Sequence, residues 1–241
     1  MVQSFTNSLI NIYIFAMNKI ALVAFCVALV TQLEPVRCSG GKDLALDVEV
    51  AHSDLLLLSA SSSSCFFRTN DIKSLINNEF KTQVGQISGK FSDLGIDQAI
   101  IDKFNADMNQ TSVSANNLLQ LQLNTFQGYE ERVHTYEENL LVNLVAIPDN
   151  LVSLRKDTGT TLSITVAVDN NLTTYVNFLS AEVVGIIAEQ SQPLVGEILD
   201  ILDNILAQED AARLKLNNAI SVFEGRANTA VVSLEIVANQ V

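Results

Sequence analysis

Tryptophan is absent from this 241-residue chain, histidine occurs twice, and cysteine and proline occur three times each. Three cysteines cannot build the disulfide framework on which small secreted domains depend, so packing has to supply the stability. Aromatic residues make up only 6% of a chain that is 48% hydrophobic, so the expected core is leucine, isoleucine, valine and alanine. Basic side chains are scarce, 14 against 27 acidic, for a net charge of −13. That balance argues against nucleic acid, whose binding depends on cations at phosphate, and against anionic membrane surfaces. There is no CxxC or HxxxH pair for zinc, no Walker-type lysine after Gly85, Gly89 or Gly95, and no nucleophile-elbow context for a serine or cysteine. The expectation is a protein that is not an enzyme and carries no cofactor.

What is present begins with an address. Met17 to Cys38 reads as a secretory leader: Asn18 and Lys19, then an apolar run from Ile20 to Val30, then Val36 and Cys38 at the positions that precede a cut. The reading is a signal-peptide region over residues 1–38, with Met17 as the start, cleavage after Cys38, and a secreted, extracellular product. A membrane anchor joining Leu9–Ala16 to this run is disfavoured, because Asn11, Asn18 and Lys19 interrupt it and the longest clean stretch falls short of the roughly 20 residues a span requires. Losing Lys19, Arg37 and Glu34 with the leader makes the remainder still more acidic. Cys65 is then the only remaining thiol. It follows Ser61–Ser64, read as a flexible joint, and is expected either as a small buried residue before Phe66 and Phe67 or as an intermolecular thiol. Asn109-Gln-Thr111 and Asn171-Leu-Thr173 are glycosylation sequons suited to a secreted chain.

Apolar residues then recur at helical spacing almost to the end. Lys42–Leu58 fits either alternation, as in a strand, or a helical face of Leu44, Val48, Ala51, Leu55 and Leu58, and helix agrees better with the pattern downstream. One stripe runs Ile72, Leu75, Ile76, Phe80, Val84, Ile87, Phe91. A second, capped by Asp97 after a break at Gly95, runs from Ile101 through Phe104, Phe126 and Tyr136 to Leu144, where Pro148 ends it. Asp149 opens a third that includes Leu162, Val166, Leu172 and Ile187, and Pro193 opens the last, from Leu194 to Val237. Thr160–Val168 alternates β-branched residues as a strand would, but an isolated strand lacks a partner, so helix is preferred with a kink near Gly159. The expected organisation is the leader, an N-terminal segment with its serine-rich linker over 39–65, and a long-helix bundle domain over 66–241. The fold class is all-α, an elongated bundle of about four long amphipathic helices in coiled-coil-like hairpins.

The histidines carry the single suggestion of chemistry. Glu49 precedes His52 by three residues, and Glu131 precedes His134 by three, a spacing that sets carboxylate and imidazole on one helical face. It resembles the Glu-x-x-His pairs of the di-metal site in ferritin-like bundles, at these four positions only. Against the resemblance, no helix precedes His52 to supply the usual first glutamate, and Gly128–Asn139 reads as an ordinary surface charge cluster. The expected function is a secreted acidic helical protein acting as a structural or protein-interaction module, through a protein partner or self-association. An extracellular lipid-binding or membrane-active bundle ranks second, with Val183–Ile187 and Leu194–Leu206 as its most insertable region. Acidic Glu197, Asp200 and Asp203 count against that reading.

Overall fold

The computed structural model describes residues 43–188, Gln190 and 193–241; the leader reading falls outside them. The described chain is all α: helices α1 (Leu44–Ser74), α2 (Lys81–Asp93), α3 (Gln98–Val142), α4 (Ile147–Ile187) and α5 (Pro193–Ala238). A π-helical turn, Leu75–Phe80, joins α1 to α2 without a break, so the two form one rod and the protein has four. The first rod packs on α3 and α5, and α4 packs on the same two. Successive rods run antiparallel around an up-down-up-down four-helix bundle.

The π turn has a cause in the residue spacing. Buried Ile72, Ile76, Phe80 and Val84 follow one another at steps of four. In an α-helix each such step carries the side chain about 40° further round, so three would turn the stripe roughly 120° away from the core. The widened turn absorbs that surplus and returns Ile87 and Phe91 to the interior.

The helix ends follow the expected chemistry with one adjustment. Asp97 caps α3, its Oδ1 accepting from Ala99 N–H at 2.8 Å. Gly95 adopts φ +75°, which turns the chain while Ile96 N–H closes back on Phe91 O at 3.0 Å. Pro148 does not end α3. That helix stops at Val142, a 3-10 turn spans Leu144–Ala146, and Pro148 lies in the first turn of α4, where a missing N–H costs nothing.

Packing settles two further points. Ser61–Ser64 is helical throughout, so no joint or linker separates 39–65 from the rest. Its hydroxyls are satisfied at the backbone: Ser61 Oγ donates to Leu58 O at 2.7 Å, and buried Ser62 Oγ donates to Phe126 O of α3 at 3.2 Å. Small side chains let the two rods approach closely there. Thr160–Val168 is helical as preferred. Its core-facing positions, however, are Thr161 and Thr165, while Val166 is exposed.

Those threonines divide the interior. One apolar core gathers Leu55, Leu58, Phe126, Tyr129, Leu154 and Phe223 with their neighbours. The other gathers Phe80, Phe91, Phe104, Tyr175, Leu179 and Ile205 with theirs. Between them lie buried Thr69, Gln122, Thr161 and Thr165. Phe126, Tyr129 and Phe223 pack edge to face in the first core, and Phe80 stacks on Tyr175 at 6.2 Å in the second.

Candidate interaction surface

More apolar residues lie on α1 than one inward face can hold. Ala51, Leu55, Leu58, Ser62 and Cys65 fill the core side. Leu46, Val50, Ser53, Leu57, Ala60, Ser64 and Phe67 are all exposed, Leu46 at 56% and Phe67 at 61%. They recur at alternating steps of four and three, the spacing of a coiled-coil seam, and none is charged. A second exposed, uncharged set with the same spacing lies on α5: Val222, Gly225, Thr229, Val232 and Ile236.

The two sets share one side of the bundle. Gln240 Nε2 donates to Asp47 Oδ2 at 2.6 Å, and Ser233 Oγ donates to Asp54, so the antiparallel register of α1 and α5 is fixed at two levels. Lys90 and Glu197 form an ion pair in the same register at the far end. At 100° per residue, each exposed set lies outward and on the flank nearer the other helix. The result is a two-helix-wide apolar face. Beyond Phe67 it continues into a polar cleft of about 420 Å³ beside the π turn, lined by Arg68, Asp71, Asn78 and Glu79 from the first rod and Gln208 and Lys215 from α5.

A smaller apolar feature caps one end of the bundle. At the turn from α3 to α4, Leu141, Val142 and Val145 point into solvent, the latter two 83% and 85% exposed. No charged residue interrupts the chain between Glu138 and Asp149.

The residues singled out for chemistry are dispersed. Glu49 and Glu131 are exposed, and His134 stands on the surface with Nδ1 3.3 Å from Glu137 Oε2 and Nε2 3.4 Å from Glu138 Oε1. His52 is half-buried. The interior at this level is occupied by Ala51, Leu55, Tyr129, Val133 and Tyr136, which leaves no room for the four motif side chains to converge. Among the described residues no group of three or more His, Cys, Asp or Glu side chains comes together to hold a metal ion.

Cys65 is sealed in the first core, and burial pushes its thiol up to about 12. A neutral, inaccessible thiol cannot bridge two chains, which corrects the intermolecular reading. Asn109 is exposed on α3 with open space for a glycan, whereas Asn171 is half-buried. Thr173 of that second sequon donates to Asp169 O and accepts from Arg213 Nη1, each at 3.0 Å. Val183, Ile187, Ile198, Leu202 and Ile205, the core of the stretch expected to insert in lipid, are buried. Among the described residues no helix is long and apolar enough to cross a membrane.

One buried acid remains. Glu209 sits between α4 and α5, 3.5 Å from Arg213, whose Nε lies 3.3 Å from Asp169. Burial raises its pKa, and Arg213 offsets this in part. The group is enclosed in the packing and lines no cavity wide enough for a substrate.

No family model, curated protein or solved structure matches this chain.

Proposed function

We propose that this is a secreted, acidic, non-catalytic interaction protein whose α1–α5 face docks another protein surface. The observation that carries the reading is the exposed seam on α1. Seven consecutive heptad-spaced positions without a charge are an unusual composition for the solvent side of a bundle with net charge −13. The groups with the greatest chemical reach are engaged otherwise: Cys65 is enclosed, and His134 sits among surface glutamates. Secretion rests on the Met17–Cys38 segment, and glycosylation on the exposure of Asn109.

A photoreactive residue in place of Phe67, in the full chain produced by cultured cells, tests the reading. Protein adducts are expected there and not at Val166, an exposed valine on α4. Adduct yields that are equal at the two positions, or adducts to lipid alone, would overturn it.

A second reading has its own observation. The exposed Leu141–Val145 turn has the form of an apolar tip that could enter a lipid surface, with the bundle standing above it. Its flanks carry Glu137, Glu138 and Asp149 where interfacial segments carry lysine and arginine, so a neutral surface is the lipid it would suit.

A further inference from the structure

The α1–α5 face is complementary to itself. Turned end over end about its middle, the α1 seam sets Leu46 against Phe67, Val50 against Ser64, Ser53 against Ala60, and Leu57 against its own copy. Large side chains meet large or small ones, and the small Ser53–Ala60 pair lets the helices close. The α5 set behaves in the same way, with Val222 against Ile236, Gly225 against Val232, and Thr229 on itself. The Asp47–Gln240 and Asp54–Ser233 register places Leu57 level with Ala230, one residue from Thr229. A single two-fold axis therefore serves both helices.

We propose that the chain forms a symmetric antiparallel dimer through this face, with the axis passing between Leu57 and Thr229. The inference rests on the interaction-module reading and names its partner as a second copy. Charge favours that occupant in this orientation. Arg68, whose one partner is the exposed Asp71, would come to the end of the second copy that carries Asp43, Asp47 and Glu49. A parallel pairing would set acid against acid. The seam from Leu46 to Phe67 is about 32 Å long, and two helices at about 10 Å each make roughly 600 Å² per copy. That reaches the roughly 1,200 Å² total at which specific interfaces begin, so the dimer is reversible and concentration-dependent.

Sedimentation equilibrium of the full chain under reductant, between about 1 and 100 µM, tests this. The expected result is a rise from monomer to twice that mass, with no further growth. Leu57→Glu and Leu57→Lys should each stay monomeric, and an equimolar mixture of the two should dimerise, because the substituted residues face each other at the axis. Val166→Glu, on α4, should dimerise as the parent does, and circular dichroism should report unchanged helix in every variant. A parent that stays monomeric throughout overturns the proposal while leaving the Phe67 adducts to decide the interaction reading. A dimer that survives Leu57→Glu, or variants that fail to recombine, also overturns it.

Discussion

Gln122 Nε2 donates to Thr165 Oγ1 at 3.1 Å in the middle of the bundle, where both residues are buried, while Gln122 Oε1 has no partner at all. The pair links α3 to α4 at the plane dividing the two apolar cores. An unmet buried acceptor costs about 1–3 kcal/mol, more than one neutral hydrogen bond returns. Gln122→Leu, combined with Thr165→Val so that neither partner is stranded, should therefore stabilise the fold by about 1 kcal/mol, or roughly 2–4 °C in Tm for a chain of this size. Thermal unfolding followed by circular dichroism is the check, and a lower Tm would mean that the polar plane is worth more than its hydrogen bonding.

Alkali should unfold the protein through its tyrosines. Burial pushes Tyr136 and Tyr175 up to about 12 and raises Tyr129 as well. The folded state thus holds phenolic protons that the unfolded chain releases near pH 10. Stability is intact below that value and falls as pH rises from 10 through 12. The Cys65 thiol follows the same logic: maleimide labelling of its peptide at pH 8 should be slow in the native protein and fast in denaturant. Rapid native labelling would contradict its burial.

Acid should act in the opposite sense at Glu209. Its raised pKa means that the fold favours the neutral carboxyl, so its contribution is most favourable below the ordinary glutamate range near 4.5 and is lost as pH rises through it. Glu209→Gln should raise Tm at about pH 7 and change nothing at about pH 4. Arg213 keeps Asp169 as a partner in that variant. A Tm loss at neutral pH would show that the Arg213 pairing outweighs desolvation.

The lipid reading stands or falls on the α3–α4 turn. If that tip enters membranes, flotation with neutral vesicles should carry the protein upward, and Val142→Glu with Val145→Glu should abolish flotation without changing helix content. The interaction reading predicts no flotation of the parent.

Much of this bundle is legible in the residues. Asp97, Gly95 and the steps through Ile72, Phe80 and Phe91 mark helices and breaks, because caps and periodicity are local properties. The serine run reads as a joint because hydroxyl bonding to Leu58 O and Phe126 O exists only once the rods are packed. In α4 the apolar pattern points to Leu162 and Val166, yet Thr161 and Thr165 face the core: four rods must share one register, and the long apolar stretches on either side set it. The α1 seam is hidden for a related reason. Lys42–Leu58 contains more apolar residues than one face can bury, and that surplus is its signal. Strand alternation and helical periodicity both fit such a segment, which conceals the two faces of a single helix.

Hydroxyl-radical footprinting of the chain in the native extract or fluid where it is made, compared with the same chain purified and dilute, tests the interaction surface most directly. A docked face predicts that Leu57 and Phe67 are labelled several-fold more slowly in the native setting while Val166 is labelled equally in both. Equal labelling of Phe67 in the two settings would contradict it.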